Sequence, residues 1–432
     1  MRPNQEPPIY RAEPPGEGLL RNSPQRWWVM VLLVVAMICC YGQRNALSVA
    51  TPFMMQELGL SRSVMGLLLS AFFWSYSFMQ VPAGWLVDRS GVKRAYAMAF
   101  GAWSVITALT GFAKEFLNLI LARILLGIGQ AAAFPASARA VANWFRDQER
   151  GTVTATYLTG VRLGQAIVVA MGSWLLAAHG VRVFFLVIGL VPLVWLLPWM
   201  WFLGRWEGIE GADRPQASTS KGTPGASFLS SLRLLKHRSV LGIFLGFFAY
   251  DYAWFVYVTW LPGYLVLERR FSPLEMSVYS SVPFVAMSVI IMLSGLVSDW
   301  LIRKGCQEVR TRRAFIAAGL GVGCLIVPAG LVEDKMTAVW LLSTALCGLG
   351  ISSPNTWTLT QAVCAKPIVG TVSGIQNFGG NLGGILAPAL TGFIAQASHS
   401  FALALTLTGA IQVGGILAYW LLVSSPVQME LE

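Results

Sequence analysis

Apolar residues in this chain gather into long runs, and the polar residues fall mainly in the short gaps between them. A lone run of this kind can be a core helix. Here runs of about 20 residues recur from end to end, each long enough to cross a hydrocarbon layer about 30 Å thick. The pattern predicts helices over 27–48, 63–87, 95–113, 116–142, 151–177, 182–203, 239–267, 275–302, 312–331, 336–362, 367–396 and 400–423. The expected class is an all-α membrane protein with twelve spans. Residues 1–26 are polar and proline-rich, and read as a disordered tail. The first apolar run, from Trp28 to about Ala46, is too long for the apolar core of a signal peptide. No small-residue cleavage site follows it, so it reads as a retained first helix.

The longest polar interruption, 204–238, falls near the middle and divides 27–203 from 239–423, with a short tail at 424–432. Its stretch GADRPQASTSKGTPGAS is linker-like. The following FLSSLRLLKHRS reads either as an amphipathic helix on the membrane surface or as more tether. The halves resemble each other. GWLVDRSGVKR (Gly84–Arg94) follows the second helix and GLVSDWLIRKG (Gly295–Gly305) the eighth, 211 residues apart. Gly127-Ile-Gly129 and Gly348-Leu-Gly350 repeat at 221 residues, and Gly151-Thr152 and Gly370-Thr371 at 219. Three motifs at nearly one offset point to an internal repeat, the way secondary transporters build a site between two rocking halves.

Composition supports the class. Only 12% of residues are charged, half the roughly 25% of a soluble domain. The net charge of +11 invites a nucleic-acid partner, but its placement argues otherwise. With both termini cytoplasmic, the cytoplasmic segments hold 22 Lys and Arg and the external loops six, the bias of the positive-inside rule. The six cysteines lack metal-ligand spacing, and no metalloprotease, phosphate-loop or nucleophile-elbow motif occurs. Neither an enzyme nor a cofactor is expected.

Gly84-x-Leu86-x-Asp88-Arg89-x-Gly91-x-Lys93-Arg94 resembles the loop signature of the major facilitator superfamily. The resemblance implies twelve helices in two pseudo-symmetric six-helix bundles. It also implies a conformational latch built from Gly84, Asp88, Arg89, Gly91, Lys93 and Arg94, with Asp299 in the second copy. Tyr41-Gly-Gln-Arg44-Asn45, Ser70–Tyr76 with Gln80-Val-Pro82, Arg123–Pro135 and Gln376–Gly384 are similar to the anion:cation symporter family within it. That family includes bacterial galactonate, glucarate and hexuronate carriers. The resemblance implies a monomer embedded in lipid in the cytoplasmic membrane.

Arg44, Arg123 and Arg162 fall inside predicted helices, where an arginine costs about 2.5–3.5 kcal/mol unless it faces a cavity or a partner. Among the 20 acids only Asp251 lies well within an apolar run. Three cations against one anion leave a positive cavity, most simply neutralised by an anionic substrate gripped through guanidinium hydrogen bonds. The resemblance makes Arg44 a carboxylate contact and Arg123 a supporting one, with Tyr76, Gln165 and Asn377 near sugar-acid hydroxyls. It also brings a departure. Where the family's symporters carry proton-accepting acids, this chain has Gln43 and Gln130, which cannot titrate. Three readings stay open: Asp251 accepts a coupled proton, the carrier is a uniporter or anion exchanger, or Asp251 pairs structurally with an arginine. A membrane sensor that binds an anion without moving it is the non-transport alternative.

Overall fold

The computed structural model describes residues 23–145, 147–204, 232–364 and 369–423. The first half holds α1 (Arg26–Leu58), α2 (Arg62–Ser90), α3 (Val92–Thr110), α4 (Phe116–Gln130), α5 (Ala133–Trp144), α6 (Asp147–Leu190) and α7 (Leu196–Gly204). The second holds α8 (Arg238–Leu267), α9 (Pro273–Arg303), α10 (Glu308–Gly323), α11 (Ile326–Leu331), α12 (Lys335–Val363), α13 (Val369–Ala397) and α14 (Ala402–Leu417).

By length and apolar composition, nine stretches of the described residues can cross a membrane, with α4–α5 forming one and α10–α11 another. The longest, Thr156–Leu203, supplies two crossings. At Gly180 the backbone turns left-handed, φ 77° and ψ 177°. A Cβ on Gly172 would then meet the Phe184 ring at 2.7 Å, although twelve residues of straight helix span about 18 Å. The chain has folded back on itself there. With α2 and α3 beside them, twelve crossings form two bundles of six. Large apolar side chains such as Trp340, 69% exposed, lie on the outside of the bundles.

Short turns are fixed by local chemistry. The Ser61 side chain accepts from Val64 N–H to start α2. Ser272 and Glu275 close a reciprocal capping box behind Pro273 at α9. Asp334 accepts from Thr337 N–H at α12. The sequence pattern ends the first helix near 48, but α1 continues to Leu58 and stops at Gly59 with φ 64°. The extension is held by the other bundle. Ser48 Oγ donates to the carbonyls of Val258 (2.8 Å) and Thr259 (2.6 Å), and Thr51 and Met54 are buried. Tertiary packing thus carries the helix past Pro52. Of the 204–238 segment, a single 3-10 turn at Leu232–Lys236 precedes α8. Residues 228–231 of the expected amphipathic stretch, 1–22 of the first tail and 424–432 lie outside the described residues.

The bundles meet through α2 against α13, α6 against α9 and α1 against α8. Cross-bundle contacts crowd the end away from the chain termini. There Arg62 donates to the Ala395 carbonyl (2.9 Å) and lies 3.8 Å from Glu268, and Ser277 Oγ donates to the Ala170 carbonyl (3.0 Å). A Cβ on Gly66 would strike the Pro388 carbonyl at 2.6 Å, so α2 and α13 are in backbone contact at that end.

Candidate functional site

Two glycine crossings bring the polar side chains of the first bundle together. A Cβ on Gly164 would collide with the Ile38 carbonyl, and one on Gly42 would meet the Gly164 carbonyl at 3.6 Å, so α1 and α6 touch along their backbones. Gly127 lies so close to Ser75 and Phe72 that no side chain fits, which presses α4 onto α2. Arg44 on α1, Tyr76 on α2, and Arg123 and Gln130 on α4 therefore converge.

Arg44 is 8% exposed. Its guanidinium carbon lies 4.3 Å from the Tyr41 ring, 4.5 Å from Tyr76 and 4.7 Å from Phe72. Its Nε donates to Gln130 Oε1 at 3.0 Å, while its Nη2 is buried without a hydrogen-bond partner. A buried charged donor left unpaired costs about 1–3 kcal/mol or more, so this edge is poised for an acceptor. Arg123 stands behind it. It donates to the carbonyls of Leu68 (3.2 Å), Arg44 (3.3 Å) and Leu69 (3.5 Å). Those bonds tie α4 to α1 and α2, so Arg123 positions Arg44.

The two glutamines part company. Gln130 accepts from Arg44 and donates to the Cys40 carbonyl at 3.0 Å. Gln43 instead donates to Ser104 Oγ and the Ile188 carbonyl, both at 3.0 Å, on another face of α1. On α6, Arg162 is half-buried with its guanidinium carbon 4.0 Å from the Trp254 ring of α8. Gln165, one turn on and 2% exposed, has a buried Oε1 without a partner.

The second bundle contributes Asp251, half-buried on α8. Its carboxylate occupies the space a side chain at Gly380 of α13 would need. Arg162 acts on it through space, but no ion pair joins the two, so the structural-pair reading lacks its contact. Asn377 Nδ2 reaches across to Gln80 Oε1 at 3.5 Å. The sequence reading passes over Trp254 and quotes Tyr41 and Gln80 in family motifs without giving them a role. Tyr41 precedes Arg44 by three residues and Trp254 follows Asp251 by three, spacings that share a helix face, but apolar surroundings hide that signal.

The loop motifs lie toward the helix ends, Gly84 two turns beyond Tyr76 on α2. A Cβ on Gly84 would meet Pro135 at 3.9 Å, and one on its repeat Gly295 would meet Pro354 at 3.9 Å. Arg89 is exposed over the Trp85 ring, Gly91 has φ 79°, and the Lys93 carbonyl accepts from Trp199 Nε1 (3.1 Å). Arg94 is exposed. The Asp88 side chain lies outside the described residues. Its repeat Asp299 accepts from Arg312 at 2.6 Å, and Arg312 also donates to Ser298 Oγ (2.8 Å) and Asn355 Oδ1 (3.3 Å). Among the described residues no group of side chains has metal-ligating geometry.

Two repeated six-helix bundles around a polar cleft, with charges in mid-span, define a multi-pass membrane carrier. The sequence profile of the Major Facilitator Superfamily matches residues 33–388, and the chain belongs to that superfamily. It is a transporter and not an enzyme. It is 32% identical over 416 residues to the D-galactonate transporter of Escherichia coli O6:H1, covering 92% of this chain and 96% of that protein. It is 32% identical over 395 residues to the hexuronate transporter of Bacillus subtilis, covering 90% and 93%. Among solved structures, a bacterial homologue of the human lysosomal transporter Spinster in an inward-facing conformation superposes with a TM-score of 0.76 at 17% identity, covering 93% of this chain and 98% of that one. That likeness bears on the fold.

Proposed function

We propose that this protein carries a small carboxylate, a sugar acid foremost, across the cytoplasmic membrane by alternating access, with both termini cytoplasmic. The observation that carries the reading is the buried, unpartnered Nη2 of Arg44 amid the polar and aromatic side chains of α1, α2 and α4. A carboxylate there completes a charge-assisted hydrogen bond and meets the surplus positive charge of the mid-span arginines. Tyr76, Gln165 and Asn377 supply polar atoms around it for hydroxyl groups. The sugar-acid names of relatives at about 32% identity support the substrate class. Crowding at the end away from the termini fits a conformation that opens toward the cytoplasm.

Anion exchange or uniport is a second reading, favoured by the partner of Arg44. Gln130 stands where a titratable group would have to act on it and cannot take a proton. In proteoliposomes, labelled sugar acids are expected to enter, and an inward proton gradient separates the two modes. Stimulation by the gradient establishes symport and directs attention to Asp251. Stimulation by anion preloaded inside, with no response to the gradient, establishes exchange. Binding without uptake makes the protein a sensor, and a folded protein that binds no carboxylate sinks the anion reading.

A further inference from the structure

Arg162 is built like Arg44. Each guanidinium lies over aromatic carbon, Arg162 on Trp254 at 4.0 Å and Arg44 on Tyr41 at 4.3 Å. Stacking covers the flat face of each cation and leaves N–H groups at its edge, with the Tyr76 hydroxyl beside Arg44 and the Tyr250 hydroxyl beside Arg162. Tyr41 is within electrostatic reach of both cations.

Their spacing follows from helix register. Gly160 backs onto Val34, Met37 and Ile38, Gly164 onto Ile38, and Gly42 onto Gly164 and Val168. α1 and α6 therefore run parallel, with Arg162 level with Ile38 and Arg44 level with Val168. Six residues separate the levels, about 9 Å at ~1.5 Å per residue. A six-carbon acid lying along the cleft spans such a gap with one end at each guanidinium. Gln165 falls between those levels on the same face as Arg162, where its unpartnered Oε1 can accept from a hydroxyl.

Charge sets the valence. Three mid-span guanidiniums against the one carboxylate of Asp251 leave two positive charges. Asp251 rests against Gly380 with Tyr250 and Tyr419 nearby, and is not ion-paired with Arg162. A monoanion would leave one charge uncompensated in a low-dielectric cleft, and a dianion leaves none.

Resting on the carboxylate-carrier reading above, we propose that Arg162 is a second anion contact and that the preferred substrate is a dicarboxylate, one carboxylate at Arg44 and the other at Arg162. The test uses acids that differ only at the far carbon: D-galactonate against galactarate, and D-gluconate against D-glucarate. The concentration of each that half-protects the purified protein against thermal unfolding is measured. The diacid of a pair is expected to act at a concentration at least tenfold lower. Arg162→Gln should cut that preference at least tenfold whatever happens to absolute affinity, and Arg162→Lys should retain part of it. A monoacid as effective as its diacid overturns the proposal while leaving the carrier reading intact. So does an Arg162→Gln protein with an unchanged ratio. Should Arg162→Gln not fold, the wild-type ratio alone still decides. A folded protein protected by none of the four acids overturns both readings.

Discussion

The two halves keep the same skeleton and divide the chemistry. A Cβ added to Gly84 would meet Pro135, and one added to Gly295 would meet Pro354, at the same 3.9 Å. The Gly-x-Gly pairs are subtler. Gly127 backs onto α2 and Gly129 onto Trp103 of α3, whereas Gly348 backs onto Gly319 of α10 and Gly350 onto Met287 of α9. Since α9 and α10 are the repeats of α2 and α3, the glycines have exchanged partners. What the repeat preserves is a helix smooth on two faces, and which glycine serves which neighbour is free to change. Side chains differ more. Arg44 on α1 stacks on aromatic rings. Asp251, on the corresponding helix of the second half, rests on a glycine. On the proposed reading, the first bundle grips the anion and the second supplies shape and counter-charge.

The sharpest test of that division is Arg44→Gln. It removes the one mid-span guanidinium with a free buried edge, and loss of a buried charge partner costs about 2–5 kcal/mol. Carboxylate affinity should fall about 100-fold or more, read by equilibrium binding to purified protein, with folding checked by gel filtration. Retained affinity would shift the grip to the second bundle. Gly164→Val comes next, because its side chain meets the Ile38 carbonyl, backbone that cannot move aside. Overpacking of about 1–3 kcal/mol should lower the unfolding temperature in detergent by several degrees. An unchanged midpoint would mean the α1–α6 crossing is looser than its glycines imply.

Smaller effects sharpen the contrast. Gln130→Glu puts a carboxylate against Arg44, where it competes with the substrate. The dissociation constant should rise about tenfold, roughly 1.4 kcal/mol, and tighter binding would show that Arg44 does not hold the anion. Asp299→Asn weakens a half-exposed pair with Arg312 worth about 1 kcal/mol or less. It should shift conformer-specific cysteine accessibility at most fivefold and leave the substrate dissociation constant within twofold. A loss of affinity approaching that of Arg44→Gln would place the second-half motif in the site and erase the division.

Long apolar runs, the polar gaps between them and the repeated motifs predicted the class, the twelve crossings and the halving of the chain. A span must satisfy its own backbone and face lipid, and both demands are local. Mid-span charge is equally legible, because a charge in lipid needs a reason: Arg44, Arg162 and Asp251 stand out of the sequence by their surroundings. What each does there was decided by tertiary contact. The continuation of α1 to Leu58 depends on Val258 and Thr259, more than 200 residues away. Arg123 is drawn off by backbone carbonyls of α1 and α2, and Gln43 by Ser104 and Ile188, though nothing beside them in the chain announces it. Trp254 becomes a platform for a cation only because the second bundle docks it on Arg162. A residue's cost in the membrane follows from its own chemistry, but its role follows from which helix lies opposite, and that is set by packing between segments far apart in the chain.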